Sequence, residues 1–150
     1  MKKCIIAILV TSFLFSGQFP AYAKNKSLKG GKAVTISFPG TVTLKKSGCQ
    51  NIPIKYTIGK MPDISFAAVA ILDDSDASIG NTIFYKTPNF SDGEVWKKNS
   101  SFNLKICRNN WSEDIGDGDF EDYQAAKKGT YQIVLMIYPS IEEFSTITFK

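Results

Sequence analysis

The chain has 150 residues, with eighteen Lys or Arg against fourteen Asp or Glu, a formal net charge of +4, and no histidine. Without an imidazole it holds no Ser-His-Asp or Cys-His nucleophile pair and no His-ligated zinc or copper. Arg108 is the single arginine, which excludes the clustered basic surface of a nucleic-acid-binding domain.

The first 23 residues read as an export signal. Lys2 and Lys3 form a positive start, and residues 4–15 form an apolar stretch too short to span a bilayer. Ala21-Tyr22-Ala23 fits a small-x-small cleavage site. Cys4 does not stand at a lipobox position. The expected plan is a signal peptide over residues 1–23, a flexible leader over 24–32 and one domain over 33–150. Removing Lys2 and Lys3 leaves sixteen basic and fourteen acidic residues, a net charge of about +2. No later stretch is apolar enough to cross a membrane. The expected product is therefore secreted or periplasmic, with no transmembrane segment after cleavage. About 127 residues can bury roughly two-thirds of their unfolded surface in one core.

In chain order, residues 24–32 are polar and carry Lys and Gly. Val34, Ile36 and Phe38 then alternate with Ala33, Thr35 and Ser37. Pro39-Gly40 interrupts, and Val42 and Leu44 resume the alternation, so this reads as one edge strand split by a kink. After Ser47-Gly48, Ile52, Ile54, Tyr56 and Ile58 define a strand with one inward face. Residues 66–72 are apolar on both faces, which predicts a central strand. Asp73, Asp74 and Asp76 mark a loop. Residues 79–85 form a weaker strand, and 86–100 a long connection. Phe102, Leu104 and Ile106 alternate next. An acidic loop follows, with a helical hint over residues 119–128. Residues 130–138 form a strong strand, and 144–149 a last one.

Cys49 and Cys107 are the only cysteines after residue 23, and an even pair in an oxidising compartment predicts a disulfide. Seven to eight short strands with turns every 8–12 residues predict an all-β, single antiparallel sandwich with one disulfide. The strand opening at Gly129-Thr130-Tyr131 resembles strand F of immunoglobulin-like and fibronectin type III-like sandwiches. In those folds a tyrosine ties its hydroxyl back to the preceding corner, and the resemblance gives that role to Tyr131. The Pro39-Gly40 split resembles the kink in their first strand. The chain departs from antibody domains: strand F has no cysteine and residues 66–72 have no tryptophan. The resemblance implies an architecture and no function.

The charge is unevenly spread. Residues 24–60 hold eight lysines and no acid. Residues 111–126 hold Glu113, Asp114, Asp117, Asp119, Glu121 and Asp122 and no base. The simple expectation is two solvated segments. Calcium favours six to eight oxygens on a flexible loop, so Asp114, Asp117, Asp119 and Asp122, hinged by Gly116 and Gly118, are the candidate metal ligands. Asp73, Asp74 and Asp76 form a weaker cluster. Phe90, Trp96 and Trp111 fall in or beside loops and are the candidate ligand contacts, as stacking rings for a sugar or anchors for a protein. No cofactor is implied beyond calcium. No P-loop, dinucleotide fingerprint or Cys-x-x-Cys is present.

The sequence thus predicts a secreted, non-enzymatic binding or interaction module whose partner is a protein or glycan at the cell surface. The alternatives are a calcium- or carbohydrate-binding domain, and a small hydrolase or hydrolase inhibitor. An exposed apolar strand face would favour protein assembly. The exported protein is expected to start at Lys24, and its intact mass checks this. Retention of residues 1–23 on exported material would contradict it.

Overall fold

The computed structural model describes residues 24–59, 66–86, 98–116, 118–138 and 141–150. These residues form strands and connections, with no helix among them. The strands are β1 (Asn25–Gly30), β2 (Val34–Pro39), β3 (Thr41–Val42), β4 (Cys49–Ile58), β5 (Phe66–Leu72) and β6 (Ser78–Lys86). They continue with β7 (Asn99–Cys107), β8 (Trp111–Gly116), β9 (Asp119–Tyr123), β10 (Gly129–Tyr138) and β11 (Ile141–Phe149). A four-stranded sheet runs β1-β2-β4-β7, a five-stranded sheet runs β3-β11-β10-β5-β6, and β8-β9 form a separate ribbon.

The two large sheets share one core, which makes the fold sandwich-like. Ile36, Phe38, Ile52, Ile54, Leu104 and Ile106 from the first meet Val69, Ile71, Ile133, Leu135, Ile147 and Phe149 from the second. All are buried. Period-two alternation produces this directly, since every second side chain of a strand points to the same face. Burying one such Ile or Phe contributes about 1.5–3 kcal/mol.

One segment serves both sheets. β2 pairs with β4, while β3, two residues further on, pairs in parallel with the end of β11. Pro39 stands at the crossing, where its missing N–H helps end the pairing with β4 beyond Ser37. The N–H of Thr148 donates to the Gly40 carbonyl at 3.1 Å, and that of Lys150 to Val42 at 3.0 Å.

Both open sides of the sandwich are stitched. On one side, the Gln124 N–H donates to the Ser78 carbonyl of β6 at 2.8 Å, and the Ala126 N–H to the Cys107 carbonyl of β7 at 2.8 Å. Gly80 lets the two edges approach there: a Cβ would collide with the Lys105 carbonyl oxygen and press on Leu104. On the other side, Lys26 Nζ of β1 donates to the Thr146 carbonyl and hydroxyl of β11, each at 2.7 Å.

Cys49 and Cys107 face each other in the β4–β7 ladder and are disulfide-bonded. The bond lies within one sheet. Tyr131 sits at the inner start of β10, and its hydroxyl accepts the Lys127 N–H at 3.0 Å, closing the corner that the sequence pointed to.

Four expectations need correction. The described residues form eleven strands in three sheets rather than seven to eight in one sandwich, and β3–β11 is a parallel pair. Residues 25–30 are not a free leader but strand β1, paired with β2 over six positions. Leu28 and Gly30 are its inward residues, too few to register as an alternation. The acidic loop is the β8–β9 ribbon, held by Trp111 and Tyr123 at its base. The helical hint over residues 119–128 resolves into β9 and an irregular stretch, because residues 119–123 pair with β8 and the N–H groups of Gln124 and Ala126 are taken by the Ser78 and Cys107 carbonyls.

Tyr131→Phe keeps the ring and removes the corner's acceptor. The expected loss is about 1 kcal/mol in urea unfolding, with an unchanged m value. No loss would mean that the corner contributes nothing.

Candidate functional site

The acidic ribbon is built around an aromatic stack. Trp111 and Tyr123 are cross-strand partners, and their rings stack with centroids 4.2 Å apart and planes at 18°. Lys105 of β7 places Nζ 4.1 Å from the Trp111 ring centre. Sterically the ammonium and the phenol occupy opposite faces of the indole. Both faces are therefore covered from within the molecule. The Trp111 Nε1 is buried with no hydrogen-bond partner, so packing and the cation hold the ring. Trp111, expected as a ligand contact, is placed as the ribbon's anchor. Phe90 and Trp96 lie outside the described residues.

Tyr123 reaches β6. Asn81 Nδ2 donates to Glu121 Oε1, and the Tyr123 hydroxyl faces Asn81 Oδ1 at 2.8 Å and Glu121 Oε2 at 2.9 Å. Burial raises the phenol's pKa well above its ordinary value, and the hydrogen bond and charge of Glu121, with Glu113 behind it, push the same way. The hydroxyl therefore stays protonated and serves as a donor. Glu113 and Glu121 are direct cross-strand partners, a like-charge pairing that costs stability unless something offsets it. Asn81 does so for Glu121.

Of the four expected metal ligands, Asp114, Asp119 and Asp122 are among the described residues. Ribbon alternation puts Asp114 and Asp122 on the face away from Trp111 and Tyr123. Asp119 stands at the turn opposite Gly116, and Asp117 lies outside the described residues. Asp114 Oδ1 accepts the Gly116 N–H at 2.8 Å. Among the described residues no three carboxylates gather as a metal site.

The Asp73 turn is likewise self-satisfied. Asp73 Oδ1 accepts from the Ser75 hydroxyl at 2.7 Å, the Ser75 N–H at 2.9 Å and the Ala77 N–H at 3.0 Å. The Ser75 hydroxyl is the main reason its pKa falls below the usual carboxylate value. Asp76 takes a φ of 60°, a left-handed conformation that Asp tolerates in turns. Two open clefts of about 400 Å³ and 250 Å³ flank this turn, and Asp73, Asp74 and Tyr131 line both.

The feature that sequence reading missed is the outer face of the five-stranded sheet. Ala68, Ala70 and Val134 are buried yet belong to no part of the shared core. The register explains why. Ile133, Leu135 and Ile137 point inward, so Val134, Met136 and Tyr138 point outward, beside Phe144 of β11 and Ala68 and Ala70 of β5. Ile83 of β6 stands beside Ala68. Ile83 is 46% exposed, Tyr138 53% and Phe144 53%. Tyr138 stacks on Phe66, its partner on β5, at 5.3 Å and 8°. The result is a floor of small side chains with large apolar ones standing at its margins. The warning in the sequence was that 66–72 and 133–138 are apolar at both parities, and that Phe144 is out of phase with Ile147 and Phe149.

Among the described residues no helix is long and apolar enough to cross a membrane. Comparison of the sequence with protein-family models and with curated proteins finds no match to either.

Trp111→Ala removes a ring stack and a cation–π contact, and is expected to lower folding stability by about 1–3 kcal/mol. Unfolding in urea measures it, and unchanged stability would return Trp111 to the role of a free contact. Asp73 gives a pH signature. Its folded pKa is lowered, so its contribution is full above the ordinary value of 3.8 and is lost as pH falls through the folded value. The stability advantage of wild type over Asp73→Asn should be constant from neutral pH to about pH 5 and shrink as pH falls below the ordinary carboxylate value. A pH-independent difference would contradict this.

Proposed function

We propose that this chain is an exported, non-enzymatic protein-recognition module of immunoglobulin-like build, working outside the cytoplasm. Its partner docks on the outer face of β11-β10-β5-β6. The observation that carries this is the exposed Ile83, Tyr138 and Phe144 around a floor of Ala68, Ala70 and Val134. Contiguous apolar surface on a water-facing sheet costs solubility and marks an interaction site. The face spans the four strands β11-β10-β5-β6, which suits another protein's surface better than a small molecule.

The immunoglobulin-like assignment is supported by topology. The first strand splits at Pro39-Gly40 and its second half runs parallel to the last strand. The orders β2-β4-β7 and β11-β10-β5-β6 correspond to the A-B-E and G-F-C-C′ arrangements of such sandwiches. Tyr131 supplies the corner bond. The in-sheet disulfide, the extra β1 and the β8–β9 ribbon set this chain apart from an antibody domain.

Site-specific photo-crosslinking in the producing cell tests the docking face. A photoreactive phenylalanine at Phe144 should yield a discrete protein adduct. The same group at Lys128, exposed ahead of β10 and away from both this face and the Lys55 side of β4, should not. Adducts at 128 and none at 144 would overturn the proposal.

A further inference from the structure

The β8–β9 ribbon ends in a knob. Ile115 is 62% exposed and Phe120 65%, so among the described residues most of each side chain is left uncovered. Asp114 pairs with Phe120 across the ribbon, and Asp119 and Asp122 flank it along β9. No basic residue occurs in residues 111–126.

The same molecule carries a socket of opposite character. Pairing between β2 and β4 stops at Ser37 and Lys55, because Pro39 and Pro53 further along cannot donate to a ladder. A cleft of about 270 Å³ opens there, lined by Asn25, Ser37, Phe38, Pro39, Pro53 and Lys55. An aromatic ring of benzene size fits a cavity of about 150 Å³, so the cleft has room for one aromatic side chain. Lys55 lines it, exposed Lys24 precedes Asn25, and residues 24–60 hold no acid.

We propose that the acidic ribbon tip of one copy seats Phe120 in the lysine-rimmed Pro39–Pro53 cleft of a second copy. Knob and socket are different surfaces of one molecule. The contact is therefore head-to-tail, and repeated it gives open chains rather than closed dimers. Apolar insertion supplies the affinity, and the Asp–Lys complementarity supplies orientation and salt dependence. This inference stands independently of the docking face on the five-stranded sheet.

Sedimentation of the protein starting at Lys24, up to about 1 mM, reads it out. Wild type should exceed dimer mass at low salt and dissociate in about 1 M salt, where the Debye length is about 3 Å. Phe120→Ser and Lys55→Glu should each weaken association at least about tenfold. The decisive arm mixes the two variants. One retains a socket and the other a knob, so an equimolar mixture should form a one-to-one dimer and stop. Ile115→Ser provides a second knob variant, and melting temperatures confirm that each variant is folded. A monomeric wild type at every concentration would overturn the proposal, as would a mixture that stays monomeric while wild type assembles. A wild-type dimer broken by Phe144→Ser and not by Phe120→Ser would also overturn it, and would assign self-association to the sheet face.

Discussion

Everything in this molecule depends on one constraint: two twisted sheets must bury their inner faces against each other while neither leaves an open side. Alternation satisfies the first half. Ile52, Ile54 and Tyr56 on β4 and Ile133, Leu135 and Ile137 on β10 meet in a single core. The second half is met by particular residues. β2 and β3 tie the sheets covalently through Pro39-Gly40, Lys26 closes one side, and residues 124–126 close the other. Gly80 matters because the second seam requires two strand backbones to come close. An open edge would be a template for unwanted pairing.

The ribbon follows from the same seam. The chain leaves β7 at Cys107 and must return across the β6 edge to begin β10. The detour becomes a ribbon because Trp111 and Tyr123 bury against each other, and because Tyr123 finds Asn81 and Glu121. Its base is thus fixed, while its tip, with Phe120 and the acids, is left to solvent. Anchored base and exposed tip are what a contact element requires. A rigid mount reduces the conformational entropy lost on binding.

Much of the architecture was legible from the sequence, and the reasons are physical. Period two in residues 34–38, 52–58 and 102–106 located strands, the even cysteine pair located the disulfide, and Tyr131 after Gly129 located the corner. What was illegible depended on partners distant in sequence. β1 has only Leu28 and Gly30 facing in, so its strand state comes from pairing with β2. The acidic stretch looked like solvated loop because six carboxylates mask the Trp111–Tyr123 pair twelve residues apart. The outer sheet face emerged only from register, since neither Phe144 nor Ile83 is unusual until Ala68, Ala70 and Val134 lie beside them. Phe90, Trp96 and Asp117, singled out by composition, fall outside the described residues.

An outer apolar face kept for a partner, as proposed, is one that folding does not need. Urea unfolding of the double variant Ile83→Ser, Phe144→Ser measures this directly. Both side chains are about half exposed and neither belongs to the shared core, so stability should stay within about 1 kcal/mol of wild type. A loss of about 4 kcal/mol or more, the size expected of core deletions, would show instead that the face is part of the folding core.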